Sequence, residues 1–192
     1  ERILRYAFEY ARRKGNRRLC MSDKANVLTY GHDLWQRIFA LLQKEYPDVP
    51  SNHLYVDALT MQIVRNPAQF DVIVTCNMFG DIITDLGAAI AGGLGLAPSG
   101  NINPEGISMF EPVHGSAPKY AGSNTADPLG SILTAALMLD HIGWAAEARA
   151  IESAVQDSIR QNQTTRDLGG SLGTSEVGDW ISNAISRMTI RP

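Results

Sequence analysis

The chain is predicted to be an α/β protein with a mostly parallel sheet and flanking helices. Three observations carry that prediction. Short apolar strand-like runs alternate with amphipathic helical runs through the first half of the sequence. Polar residues fit for chemistry stand where those strands end, Lys24 after the first and Asp57 after the second, the place where open α/β sheets usually put their sites. Asp81 and Asp85 lie one helical turn apart in a run that is otherwise apolar.

Glu1 to Lys14 reads as a helix with Ile3, Leu4, Ala7, Phe8 and Ala11 on one stripe, ended at Gly15. This beginning has the character of mid-protein helix, so a further N-terminal portion is expected to precede it. Residues 18–22 form a short strand leading to Lys24, and Asp33 to Tyr46 a second helix with Leu34, Ile38, Leu41 and Leu42 facing inward, stopped by Pro47. His53 to Val56 is a strand that delivers Asp57 to a helix running to about Val64. Phe70 to Thr75 is the strongest strand signal and is expected at the centre of the sheet, covered on both faces. It feeds the aspartate helix directly.

The character changes at Gly92-Gly93-Leu94-Gly95, and Pro98 to Gly106 is a loop by composition. A domain boundary is therefore expected near residue 91, giving domains 1–91 and 92–192. Ile107 to Phe110 is a strand running into the turn-rich segment 111–118. Pro128–Ile142, Ala145–Gln161 and Ser175–Arg187 are helices.

At 192 residues the chain can bury a full core. A hydrophobic content of 44%, a formal net charge of -3 and a pI near 5.8 lack the basic excess of nucleic-acid binders. No apolar run reaches the roughly 18 residues of a membrane span, so neither nucleic acid nor membrane is expected as a partner. Cys20 and Cys76 each fall in an apolar strand-like run and read as unpaired thiols of a reducing compartment. The cytoplasm is the default location, and an organelle matrix would look the same.

Because most of the helix around Asp81 and Asp85 is apolar, its acidic stripe is expected in a cleft rather than on an open face. Two converging carboxylates repel unless a cation or a proton sits between them, and oxygen ligands favour Mg²⁺ or Mn²⁺. Lys24 beside such an ion is a candidate base, a role conditional on the metal. The small residues of His114 to Gly122 would let backbone N–H groups approach a ligand, although the segment lacks the spacing of a Rossmann turn. Lys119, Tyr120 and Arg166 offer a cation, a stacking ring and a fork of donors suited to phosphate.

Four ordered segments, Asp23-Lys24-Ala25-Asn26-Val27-Leu28, Tyr55-Val56-Asp57, Asn77-Met78-Phe79-Gly80-Asp81-Ile82 and Glu111-Pro112-Val113-His114-Gly115-Ser116-Ala117-Pro118, together resemble the β-decarboxylating dehydrogenases that act on isopropylmalate, isocitrate, homoisocitrate and tartrate. The resemblance runs through essentially the whole chain and covers the C-terminal half of that family. It implies a two-domain fold with a mixed, mostly parallel sheet, whose N-terminal half would carry the substrate-binding arginines and a catalytic tyrosine. It implies oxidation of an (R)-2-hydroxy acid bearing a 3-carboxylate, with hydride transfer to a nicotinamide followed by loss of CO₂. Asp81 and Asp85 would bind Mg²⁺ or Mn²⁺ from one subunit of a homodimer, while Asp57 and Lys24 come from the other, Lys24 as general base. Asn26 would touch substrate or nicotinamide, and Glu111, His114, Gly115, Ser116 and Ala117 would form the cofactor loop.

NAD-using members typically carry an acidic residue after the Ala-Pro pair. Lys119 and Tyr120 occupy that place here, which favours NADP, with Arg166 as a further contact and NAD as the alternative. Asp127 stands where many members have asparagine against the adenine. Segments 23–28 and 114–118 read most like isopropylmalate enzymes, whereas Gly92 to Asn101 and Lys119-Tyr120 lean toward isocitrate enzymes. A silent regulatory subunit is the reading from a different class, and the intact acidic set with Lys24 argues against it.

Overall fold

A computed structural model describes residues 1–15 and 17–188, so residues 189–192 of the expected second domain lie outside it. The chain divides into two compact units, Glu1–Gly87 and a second that begins at Ala88.

In the first unit the order is α1 (Arg2–Arg13), β1 (Leu19–Asp23), α2 (Gly31–Glu45), β2 (Ser51–Tyr55), α3 (Val56–Arg65), β3 (Val72–Thr75) and α4 (Asn77–Ile90), the division between units falling within α4. The strands form a parallel sheet in the order β2-β1-β3, with Asp23 beside Tyr55 and Ser22 beside Thr75 at its carboxyl edge. The centre is thus β1, buried at every position, and not the Phe70–Thr75 run, which lies at an edge of this sheet. Asp71 explains the late start of β3. Its carboxylate turns aside to accept from the backbone N–H and the Nε of Arg18, at 3.1 and 2.9 Å.

Strand pleating assigns β1 to two cores. Leu19 and Met21 pack with Leu4, Phe8, Phe39 and Leu42, where Phe8 stacks on Phe39 and on Tyr46 at 5.6 and 5.1 Å between ring centres. Cys20, on the opposite face, packs with Leu59, Ile63 and Ile83. Leu34 and Leu41 do not face inward as expected, being 51% and 55% exposed. The stripe that packs is His32, Trp35, Phe39 and Leu42, which recurs every three or four residues, and Leu34 and Leu41 fall on its flank.

The second unit contains β4 (Pro98–Asn101) antiparallel to β5 (Met109–Pro112), then α5 (Leu129–His141), α6 (Ala145–Arg160) and α7 (Thr174–Ser186). Leu129, Ala154, Val155, Val177 and Ile181 form its core. Strand β4 lies inside the segment whose composition indicates a loop, and β5 starts later than expected, leaving Ile107 almost wholly exposed. The hairpin explains both. Cross-strand bonds from Pro98–Pro112 to Asn101–Met109 supply what the local sequence lacks, and Gly100 leaves room for the Phe110 ring, which a Cβ would meet at 3.0 Å. Among the described residues no helix is long and apolar enough to cross a membrane.

Candidate functional site

The carboxyl edge of the parallel sheet gathers the first group of candidates. Lys24 leaves the end of β1, and α3 begins directly after β2, which places Asp57 in its first turn. The Lys24 ammonium donates to Asp57 Oδ1 at 2.6 Å and stands 5.7 Å from the centre of the Tyr55 ring. That bond holds the Asp57 carboxyl below the usual carboxylate range, helped by backbone N–H groups at the start of α3. Lys24 is about one fifth exposed and Asp57 about two thirds, so the pair opens to solvent on the carboxylate side.

Asp81 and Asp85 share one face of α4, and both are exposed. In the single chain the acidic stripe is open. The three carboxylates do not converge either, since among the described residues no group of three or more His, Cys, Asp or Glu side chains is placed to hold a metal. Asn26 is exposed in the turn after Lys24.

Beneath Lys24 lies a polar cluster that sequence reasoning missed. Asp23 is buried at the end of β1, where it accepts from the Ala25 N–H at 3.0 Å and from Gln36 Nε2 at 2.8 Å, with His53 Nε2 at 3.0 Å. A carboxylate closing an otherwise apolar central strand was the available signal, because a buried charge requires partners.

The second group lines a cavity of about 600 Å³ within the second unit. His114, Gly115, Ala117, Tyr120, Asp127 and Arg166 are brought together on its wall, joined by Gly95, Thr125, Ala126 and Asp167. Glu111, Ser116 and Lys119 are not on that wall. Glu111 pairs with Ser99 on the hairpin, and the Lys119 ammonium lies over the Tyr120 ring at 4.7 Å. In the sequence Gly95 carries only a boundary signal, and Asp167 carries none of its own beside Arg166.

Two atoms in this cavity are buried without a partner, His114 Nε2 and Asp127 Oδ2. His114 Nδ1 lies 3.0 Å from the Gly115 carbonyl, which can only accept, so the Nδ1 proton is fixed and Nε2 of the neutral ring is left as an acceptor. Asp127 Oδ1 accepts at 2.8 Å from the Leu129 N–H, the first of α5. Burial, and then the nearby Asp167 charge, push the Asp127 carboxyl up. A pocket of this size with unsatisfied acceptors on its wall suits a ligand with N–H or O–H donors. Ala117, at φ 42°, turns the chain into the short helix Pro118–Tyr120, of which Tyr120 reaches the wall.

Comparison with known proteins gives a consistent answer. The isocitrate/isopropylmalate dehydrogenase family matches residues 1–181. The 3-isopropylmalate dehydrogenase of Thermobifida fusca is 50% identical over 188 residues, which is 97% of this chain and 52% of that protein. The corresponding protein of Archaeoglobus fulgidus is 45% identical, with 96% and 56% covered. Among solved structures, an isocitrate dehydrogenase from Methylococcus capsulatus superposes with a TM-score of 0.90 at 42% identity, over 97% of this chain and 56% of that one. A β-decarboxylating dehydrogenase from Thermococcus kodakarensis gives 0.84 at 38%, over 96% and 54%. The chain spans about half the length of the curated relatives it matches. With the parallel sheet, its flanking helices and the ordered segments all accounted for, the chain belongs to the isocitrate/isopropylmalate dehydrogenase family.

Proposed function

We propose that this chain supplies the metal, base and nucleotide parts of an oxidative decarboxylase acting on an (R)-2-hydroxy acid with a 3-carboxylate, 3-isopropylmalate first among them. The observation that carries the reading is the Lys24–Asp57 pair at the carboxyl edge of a parallel sheet whose next strand feeds the Asp81/Asp85 helix. Similarity to proteins named 3-isopropylmalate dehydrogenase, of which this chain spans about half, supports the substrate.

Two carboxylates one turn apart, and a third held elsewhere by Lys24, fit a divalent ion shared between subunits of a homodimer. Asp81 and Asp85 of one protomer would hold Mg²⁺ or Mn²⁺ together with Asp57 from its partner. When bound, the ion supplies Lewis-acid polarisation of the hydroxyl and carbonyl oxygens, and the nicotinamide supplies the hydride acceptor. Lys24 Nζ, as the neutral amine, takes the hydroxyl proton, and Asp57 Oδ1, at 2.6 Å, keeps that nitrogen aimed. Asn26, in the adjoining turn, would orient substrate or nicotinamide. The cavity of the second unit would take the adenosine end of NADP, with Tyr120 and Arg166 on its wall and Lys119 stacked on Tyr120 to favour the 2′-phosphate. The proposed location is the cytoplasm.

An isocitrate-type substrate is the second reading, favoured by Lys119-Tyr120 and by the Methylococcus capsulatus likeness. Steady-state oxidation of each acid by the full-length protein, with NADP or NAD and with Mg²⁺ or a chelator, separates them. Isopropylmalate turnover with NADP that a chelator abolishes is expected, and Lys119→Asp should shift preference toward NAD. Metal-independent turnover, or unchanged selectivity in Lys119→Asp, contradicts the corresponding part of the reading.

A further inference from the structure

The backbone of Lys24 is fixed on both sides. Its carbonyl accepts from the N–H groups of Val27 and Leu28 at 3.0 and 2.8 Å, and the following N–H, of Ala25, is held by buried Asp23. Its own N–H is taken by a side chain from a different element. His32, buried in the first turn of α2, accepts that proton at Nδ1 at 3.0 Å. Acceptance at Nδ1 requires a lone pair there, so the ring carries its proton on Nε2.

His32 is itself located from two directions. Its backbone N–H donates to the Leu28 carbonyl at 3.1 Å, closing the turn that starts at Lys24. Its ring packs edge-on against Phe79 of α4, at 5.6 Å between ring centres, two residues before Asp81.

We propose that His32 is a positioning residue for Lys24. It fixes the peptide from which the amine extends, and so sets where Nζ stands relative to the hydroxyl it deprotonates. This rests on the reading of Lys24 as the base. An amine misplaced by about 1 Å loses rate rather than affinity, because the loss is felt only as the proton moves. His32 touches no candidate ligand group, so substrate binding is left almost unchanged.

Three variants of the full-length protein test this, with kcat, the KM for hydroxy acid and for NADP, and melting temperature measured for each. His32→Ala should lower kcat about tenfold with both KM values within about twofold. His32→Asn, whose amide oxygen can stand near the Nδ1 position, should restore most of the rate. Lys24→Met should abolish it. If His32→Ala fails to fold, Asn against Gln carries the test, since a Gln amide reaches the Nε2 position instead and should not restore the rate. Equal rates in Ala and Asn (or in Asn and Gln), a loss confined to KM, or a wild-type rate in His32→Ala would overturn the proposal while leaving Lys24 standing. A Lys24→Met protein that keeps its rate would sink the reading of Lys24 and the proposal with it.

Discussion

Gly130 and Gly178 both lie inside helices, yet alanine should have opposite effects at the two sites. A Cβ at Gly130, in the first turn of α5, would sit 2.6 Å from the Gly95 carbonyl oxygen and 3.4 Å from His114 Nε2. Real Cβ atoms essentially never come under 3.0 Å, so the α5 backbone and the Gly95 turn must part by about 0.4 Å or more. The atom it meets is backbone, with no flexible side chain to swing aside. Overpacking of this kind costs about 1–3 kcal/mol, which for a chain of this size lowers Tm by about 2–12 °C. Gly95 and His114 also line the cavity proposed for NADP, so the same displacement should weaken NADP binding about three- to tenfold. Gly178 in α7 has nothing within 4 Å of the added Cβ, and its φ is not left-handed, so alanine there should gain up to about 1 kcal/mol of helix propensity. Thermal melting and NADP titration calorimetry on the two variants provide the assay. If Gly130→Ala melts and binds as the parent does, the close approach of α5 to Gly95 is not a constraint. If Gly178→Ala is the less stable of the two, the steric argument has its sign wrong.

Asp127 gives a pH-dependent prediction. Because burial and Asp167 raise its folded pKa above the ordinary 3.8, the stability it contributes is fully present below that value and is lost as pH rises through the folded pKa. Asp127→Asn should therefore raise Tm at neutral pH by about 2 °C, with the gain shrinking toward pH 4, as read by melting scans across pH. A gain that grows in acid would contradict the assignment. The two thiols should also differ. Burial pushes the Cys20 thiol up to about 11, whereas Cys76 is only half-buried. Under native conditions Cys76 should react with a thiol reagent and Cys20 only after denaturant is added, and comparable native rates would be inconsistent with the buried β1.

Most of the first unit was legible because its signals are local. The Leu4, Ala7, Phe8 and Ala11 stripe of α1, the Gly15 stop and the apolar run of β1 are written in consecutive residues, although Ile3, expected on the same stripe, is 51% exposed; Lys24 and Asp57 follow from where the strands end. What escaped depends on partners distant in sequence. The centre of the sheet passed from the Phe70–Thr75 run to β1, because rank in a sheet is set by which strands pair on both edges and not by the apolar content of one strand. Strand β4 is made of proline, serine, glycine and asparagine, and becomes a strand only because β5 supplies its hydrogen bonds. Leu34 and Leu41 repeat at helical spacing as well as Phe39 and Leu42 do, and only the packing of α1 and β1 decides which stripe is buried. At the site, the conspicuous charges Lys24, Asp57, Asp81 and Asp85 were visible, while Asp23, His32, Gln36 and His53, which hold the Lys24 turn in place, were not. Side chains that act through others carry no motif of their own.

The most direct test of the account is subunit complementation. Full-length Lys24→Met and Asp81→Asn proteins should each be inactive, since each spoils both sites of the proposed symmetric dimer, which draws its base from one protomer and its metal ligands from the other. Co-expressed, they form mixed dimers in which one site receives an intact Lys24 and an intact Asp81. With random pairing, hydroxy-acid oxidation should return to about a quarter of the parent rate. No recovery in mixed dimers shown by mass to contain both variants would contradict the shared site on which the proposed function rests.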